Sequence, residues 1–414
     1  MDNAFILDAV RTPRGRGKPG KGALSAVHPQ ELLAQTFKAL VQRSALDPRS
    51  IDDVIAGSVS QVSEQGANVA RQAWLSTGLA YEVPAQTIQR FCGSGLAAVQ
   101  LAAMGVASGA QELVIAGGVE SMSRVPMGSD QSQGDGKNPT LRDRYFQLPQ
   151  GVAADLIATL EGLGRREVDG FALRSQRLAT QALEEKRFAR SMVPVIDPAT
   201  GRTVLSADEA PRPDTTLEGL LALPASFAEV GKQRFDVPEA KGRSLDEIAL
   251  AAYPAARAIE HVHTAGNSSG LSDGAAAVLV ASQAYVGAHG VKPRARIRSL
   301  ANVGSEPFLM LTGPSEASRR ALARAGMQAS DIDLWEINEA FAAIPLRTIR
   351  ELAIDPERVN VNGGAIALGH PLGATGAILV GTALDELERR GLATALITLC
   401  TAGGQGVALI IERT

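Results

Sequence analysis

Only two cysteines occur in the 414 residues of this chain, and both sit among small residues. Cys92 lies in Arg90-Phe91-Cys92-Gly93-Ser94-Gly95, and Cys400 precedes Thr401-Ala402-Gly403-Gly404-Gln405-Gly406. Between them, Gly369-His370-Pro371-Leu372-Gly373-Ala374-Thr375-Gly376 places a histidine in another glycine-rich turn. A thiol attacks as its thiolate, and an imidazole can take the proton. Two thiols and one imidazole fit chemistry in which one thiol carries a covalent intermediate and the other moves a proton. Taken alone, a buried cysteine is most often a small inert hydrophobe. Inert packing has no need of Gly-Ser-Gly or Gly-Gly-Gln-Gly beside the sulfur, whereas close approach of backbone to a ligand does.

The elements that must position these groups come from a chain long enough for two or three domains. Hydrophobic residues make up 45% and aromatics only 4%, so the cores must be aliphatic and alanine-rich. A net charge of −3 gives no electrostatic footprint for nucleic acid or a membrane surface. Two distant cysteines offer no disulfide framework and fit a reducing compartment. Cys-x-x-Cys and Cys/His clusters are absent from the sequence, so a structural zinc is not expected. The first residues carry no basic-then-apolar leader and no window has the length of a membrane span. The cytoplasm is the expected location.

The two ends of the chain repeat one plan. Residues 4–10 read as a buried strand, 29–44 as a helix with Leu32, Leu33, Phe37, Leu40 and Val41 at helical spacing, and 54–59 as a second strand. Later, 295–300 reads as a strand, 314–325 as a helix and 331–338 as a strand, with 330–334 echoing 50–54. Each half then has a glycine-rich turn opening an uncharged helix, at Gly93 and at Gly373, and an apolar strand after it. Alternating strands and helices imply α/β halves. The middle differs, with polar stretches at 129–138 and 197–214 and an amphipathic helix over 166–188. The expected division is an N-terminal half over 1–120, an inserted domain covering the active cleft over 121–270, and a C-terminal half over 271–414.

Nearly end to end, the chain resembles the thiolases, acyl-CoA acetyltransferases that exchange acyl groups between coenzyme A (CoA) thioesters. The resemblance rests on the Cys92 turn, Gly117-Gly118-Val119-Glu120-Ser121-Met122-Ser123, Thr264-Ala265-Gly266-Asn267-Ser268-Ser269-Gly270, Asn338-Glu339-Ala340-Phe341-Ala342, the His370 block and the Cys400 block, all in family order. It implies two similar α/β halves in a five-layer αβαβα core with an inserted loop domain. It implies an acyltransferase that condenses acetyl-CoA reversibly or cleaves 3-ketoacyl-CoA with free CoA, without metal or cofactor.

By the same resemblance, Cys92 is the nucleophile that becomes an acyl-enzyme thioester, His370 its base, and Cys400 the second acid/base. His370 and a water held by Asn338 donate to the enolate oxygen, and the backbone N–H groups of Cys92 and Ala402 serve the acyl oxygen. Ser269 and Arg212 match CoA-binding positions, and Ala340 and Phe341 match the pantetheine channel. A homodimer or homotetramer is implied as well. Two departures stand out. A histidine-methionine pair of short-chain members is replaced by residues 148–153, which points to a different or roomier acyl pocket. Extra sequence lies between Phe227 and Thr264, with an expected helix over 245–259 and His261 and His263 two apart, read as solvated or hydrogen-bonded rather than metal-binding.

Ketoacyl synthases share the fold and the cysteine nucleophile, yet they place histidines where this chain has Asn338 and Cys400. A non-catalytic acyl-CoA or sterol carrier has no use for Cys92, His370 and Cys400 together. A two-thiol redox sensor is the remaining alternative.

Overall fold

The computed structural model describes residues 3–130, 135–234 and 242–414. Parts of the polar stretch 129–138 and of the extra segment after Phe227 lie outside these described residues. The strands that build the main sheet are β1 (Ala4–Arg11), β2 (Asp53–Gly57), β3 (Ala85–Ile88), β4 (Leu113–Ser121), β5 (Ser272–Ser282), β6 (Ala295–Gly304), β7 (Leu334–Ile337), β8 (Thr394–Thr401) and β9 (Gln405–Arg413). The helices that matter for the site are α1 (Pro29–Arg43), α2 (Ser94–Ala107), α3 (Pro139–Arg144), α4 (Gln150–Leu160), α5 (Arg165–Glu184), α6 (Leu245–Ala252), α7 (Gly313–Ala325), α8 (Ala343–Leu352) and α9 (Leu372–Arg390).

The strands run in the order β7-β8-β9-β6-β1-β5-β4-β2-β3. The order β2-β4-β5-β1 in one half matches β7-β8-β9-β6 in the other. In each, the first pair is parallel and the next two are antiparallel. Among the described residues, the halves pair edge to edge where Ala4–Ile6 of β1 meets Ala295–Ile297 of β6. This is the expected repeat, with one correction to the boundary. β5 begins in the segment assigned to the C-terminal half, but it pairs with β4 and β1 and is the counterpart of β9. The first half therefore needs residues 272–282 added to 1–120.

Side-chain alternation along the strands shows the layers. In β5, Ala275, Ala277, Leu279 and Ala281 pack with Leu33, Phe37 and Leu40 of α1. Its alternate residues Ala276, Val278 and Val280 pack with Leu96 and Val99 of α2 and Ile378 and Val380 of α9. In β9, Val407, Leu409 and Ile411 face that same middle layer, while Ala408 and Ile410 face Ala317 and Ala321 of α7 and Ile344 of α8. The result is α1, sheet, α2 with α9, sheet, α7 with α8: five layers. Helices α2 and α9 lie between two sheets, which is why they carry apolar residues nearly all round.

Two local expectations change. The helix expected over 245–259 stops at Ala252, because Pro254 disfavours helical geometry at Tyr253. Ser244 starts it with a reciprocal capping box to Glu247. His261 and His263 lie in an irregular segment rather than a strand, and both rings reach Asp155, at 2.7 Å each. Asp155 also accepts the backbone N–H groups of Val262 and His263. Burial works against its charge, but the two imidazole bonds hold its carboxyl below the usual range. This cluster ties the end of the extra segment to α4. Among the described residues, no helix is long and apolar enough to cross a membrane.

Candidate active site

Cys92 sits in the turn entering α2, just before its first residue, Ser94. The turn is tight enough to force Phe91 to φ 45, in the left-handed region. Ser94 holds it there, accepting the Arg90 N–H at 2.8 Å and donating to the Phe91 carbonyl at 2.6 Å. His370 occupies the matching turn before α9. The two helix starts approach at backbone distance: a Cβ at Gly376 would stand 2.2 Å from Leu96 N, and one at Gly95 would stand 2.7 Å from the Gly373 carbonyl. Only glycine permits this approach, and it puts Cys92 in contact with Leu372, two residues past His370.

The thiols and the imidazole are buried, so their resting forms are neutral. Burial pushes the Cys92 thiol up to about 12, with the Glu120 carboxylate adding to the effect. Its sulfur accepts the backbone N–H groups of Cys92 and Ala402, which act in the opposite direction. Burial, together with the Arg14 guanidinium, pulls His370 down to about 3. Cys400 is raised well above an ordinary thiol, by burial and by Cys92 nearby. Neutral thiol and neutral imidazole are the forms in which the imidazole can act as a base.

His370 is oriented from both sides. Its Nδ1 lies 2.6 Å from the Thr375 hydroxyl, which itself donates to the Pro371 carbonyl at 2.9 Å. With its hydrogen used there, the Thr375 oxygen accepts, so Nδ1 carries the proton and Nε2 keeps its lone pair. Nε2 faces Asn338 Nδ2 at 3.3 Å, and Asn338 Oδ1 is buried with no partner among the described residues. Asn338 in turn is placed by its backbone N–H on Thr398 of β8, two residues before Cys400. Arg14 donates to the Gly369 carbonyl at 3.0 Å and fixes the approach to His370. The buried Glu120 carboxylate accepts the N–H groups of Val59, Ser60 and Gly373 and the Gln65 amide, locking the start of α9 against β4.

Thr375 and Glu120 lie inside the sequence blocks and Arg14 outside them, and none of the three carried an assigned role. For Thr375 and Glu120 the signal was position only, inside a shared block; for Arg14 there was none. Ala402 is not among the residues with positive φ, so a side chain there costs no backbone strain.

Three cavities adjoin these groups. One of about 160 Å³ holds Cys92 with Val59, Phe91, Gln150, Leu372 and Ala402. A second, of about 390 Å³, shares Gln150 and Ala402 with it and extends past Leu148, Pro149, Phe146 and Met310 to Arg142. The third, about 220 Å³, runs beside Gly369 and is lined by Arg16, Lys18, Arg212 and Ser268. Arg212 is thus in a groove with two further cations, as a phosphate-bearing ligand needs. Ser269 is not in its lining; its neighbour Ser268 is, with a buried Oγ that has no partner among the described residues. Ser269 instead bonds through its N–H to the Ala340 carbonyl. Ala340 and Phe341 are core residues behind the groove, Phe341 meeting Phe227 edge-on at 5.8 Å.

A five-layer α/β fold of paired halves, with two thiols and an imidazole at the facing helix starts, defines the class to which comparison with known proteins also leads. The chain matches the family models for the thiolase N-terminal domain over residues 4–235 and the thiolase C-terminal domain over 291–413. It is 43% identical to a beta-ketoadipyl-CoA thiolase of Pseudomonas aeruginosa, with 99% of this chain and 98% of that protein aligned. It is 42% identical to a 3-oxoadipyl-CoA/3-oxo-5,6-dehydrosuberyl-CoA thiolase of Escherichia coli over the full length of both. The solved structure of the Bacillus anthracis acetyl-CoA acetyltransferase superposes with a TM-score of 0.84 at 36% identity, covering 100% of this chain and 99% of that one. The chain belongs to the thiolase family and is a CoA-dependent acyltransferase.

Proposed function

We propose that this thiolase works in the degradative direction, cleaving 3-ketoacyl-CoA chains larger than acetoacetyl with free CoA. The observation that carries this reading is the cavity of about 390 Å³ opening beside Ala402, the residue whose N–H faces the Cys92 sulfur. A site for two-carbon units alone has no use for that room. The names of the Pseudomonas and Escherichia relatives, which carry ketoadipyl and oxoadipyl chains, support it.

In this reading His370 Nε2 takes the Cys92 proton as the sulfur adds to the substrate's C3 carbonyl. The C2–C3 bond then breaks, its electron pair passing to the departing acetyl-CoA enolate, and the Cys400 thiol protonates C2. Backbone N–H groups of Cys92 and Ala402 hold the oxygen of the acyl-enzyme. Asn338 and His370 serve the enolate oxygen. Free CoA attacks the thioester, its thiol proton passing to the Cys400 thiolate, and Cys92 leaves with the proton held on His370. Arg16, Lys18 and Arg212 bind the CoA phosphates, and Ser268 the chain between them and the thiol. CoA thioesters and CoA are the only co-reactants this sequence of steps needs.

A homodimer or homotetramer completes the proposal. β3 ends the sheet, and Leu101 and Met104 on the adjacent α2 are 38% and 44% exposed. An uncovered edge strand with apolar neighbours is a natural pairing surface. The free thiols Cys92 and Cys400 suit a reducing compartment such as the cytoplasm.

The test is thiolysis of acetoacetyl-CoA and longer 3-ketoacyl-CoA by wild type and Cys92→Ala, with mass spectrometry of the trapped acyl-enzyme. Faster cleavage of the longer chains and an adduct on Cys92 are expected. Cleavage confined to acetoacetyl-CoA would overturn the degradative reading, and turnover by Cys92→Ala would overturn the mechanism.

A further inference from the structure

Of the two histidines on Asp155, only His261 has a carboxylate at each ring nitrogen. Its Nδ1 lies 2.7 Å from Asp155 Oδ2 and its Nε2 3.1 Å from Asp246 Oδ2. His263 instead accepts the Ala343 N–H at Nε2, so its ring hydrogen sits on Nδ1, towards Asp155. An ionised carboxylate only accepts, so both His261 bonds need hydrogen on both nitrogens: the bridging ring is an imidazolium. Among the described residues, His261 is the only hydrogen-bond partner of the Asp246 carboxylate, whose Oδ1 is buried with none. The bridge joins two walls of one cavity. Asp155 is on α4, whose first residue, Gln150, lines both the Cys92 cavity and the cavity of about 390 Å³. Asp246 is on α6, whose first residue, Leu245, is fully buried and lines the larger cavity.

We propose that His261 is a positioning residue for the acyl chain: by clamping α4 to α6 through Asp155 and Asp246, it keeps Gln150 and Leu245 at the spacing that chains longer than acetoacetyl require. The inference rests on the degradative reading above and adds to it a residue outside the cavity lining and a dependence on pH. The bond to Asp155 raises the His261 imidazole above 6.5; burial opposes this, and Asp246 adds to it. The clamp is therefore complete below 6.5 and is lost as pH rises through the raised value. A neutral imidazole has one N–H for two carboxylates, so one of them then faces a lone pair. Asp155 keeps three other N–H donors, from the Val262 and His263 backbone and the His263 ring, so α6 is the side that is released. The other charged neighbours do not replace the lost proton. Lys232, after the short helix Ala228–Gly231 that lies against Asp246, is paired with Glu229 at 2.7 Å, and Glu260, beside His261 in the chain, is exposed.

The experiment measures thiolysis of 3-ketohexanoyl-CoA and acetoacetyl-CoA from about pH 5.5 to 9 by wild type, His261→Gln and Asp246→Asn. The ratio of the two KM values is taken at each pH, so that ionisation of CoA and of groups common to both substrates cancels. In wild type this ratio should rise about 3- to 10-fold between the acid and alkaline ends, while the ratio of kcat values stays flat. Asp246→Asn offers an N–H to the lone pair of the neutral ring, so its ratio should keep the low wild-type value throughout. His261→Gln should hold the raised value at every pH. A wild-type ratio independent of pH, an Asp246→Asn ratio that still rises, or an equal loss on both substrates in His261→Gln overturns the proposal. If His261→Gln does not fold, the wild-type profile and Asp246→Asn decide. Cleavage confined to acetoacetyl-CoA by wild type would sink the degradative reading itself, and this inference with it.

Discussion

Thr375 Oγ1 stands 2.6 Å from His370 Nδ1 while its own hydrogen is directed to the Pro371 carbonyl. The hydroxyl therefore acts as an acceptor, and it chooses the tautomer of the His370 imidazole. Because Thr375 is on the first turn of α9, the helix that presents His370 also fixes which ring nitrogen is basic. Thr375→Val keeps the shape of the side chain and removes the acceptor. Acylation of Cys92 should slow by about 10- to 100-fold, with Thr375→Ser recovering most of the rate. Single-turnover acylation from acetyl-CoA measures this. Equal rates for the three proteins would mean that the tautomer is set elsewhere.

Cys400 is buried close enough to Cys92 for a charge on Cys92 to disfavour ionisation of Cys400. That arrangement suits a proton carrier that ionises only when the enolate forms beside it. Cys400→Ala should abolish exchange of the acetyl-CoA methyl protons with deuterated solvent while Cys92 still becomes acetylated. NMR of acetyl-CoA in deuterium oxide, with mass spectrometry of the protein, separates the two steps. Continued exchange would remove Cys400 from its role.

The fold was legible in the sequence where local pattern and global arrangement agree. The repeat, the glycine turns and the candidate groups Cys92, His370 and Cys400 were all visible because each depends on a short stretch of chain. β5 was assigned to the wrong half because it returns to the first sheet after the long insertion, and its own apolar run does not say which edge it will join. Ser268 and Ser269 differ by one position in extended chain, which reverses the direction of a side chain, so spacing alone could not choose between them. Thr375, Arg14 and Asp155 act through contacts between turns and elements, and nothing in their neighbours' identity reveals those partners. The pair His261 and His263 shows the same limit: two residues apart in sequence, they converge on one carboxylate supplied by a distant helix.

The crossing of α2 and α9 makes a prediction about stability and activity together. Alanine is the better helix former, so Gly376→Ala gains roughly 1 kcal/mol in propensity. The added Cβ, however, meets Leu96 N at 2.2 Å, and backbone cannot swing aside as a long side chain can. Overpacking should win, with a net loss of about 1–3 kcal/mol. Separation of the helix starts should also reduce acylation of Cys92 more than it reduces CoA binding. Calorimetry and isothermal titration with CoA check the two parts, and a raised Tm would show that the crossing has slack.

The lowered imidazole of His370 makes a last prediction, in two measurable forms. Burial and the Arg14 charge hold it near 3, against 6.5 for an unperturbed histidine. Between these values the unfolded chain binds a proton that the folded chain does not. Stability therefore rises with pH across this window and falls as the solution is acidified from 6.5 towards 3. His370→Asn removes that proton from the unfolded state, so its Tm should decline less than that of wild type over the same acidification. The kinetic counterpart follows from the same shift: the base stays neutral, so the acylation rate should show no inflection near 6.5. A rate that halves at the ordinary histidine value, or a variant as acid-sensitive as wild type, would place His370 in water rather than in the buried turn between Pro371 and Gly369.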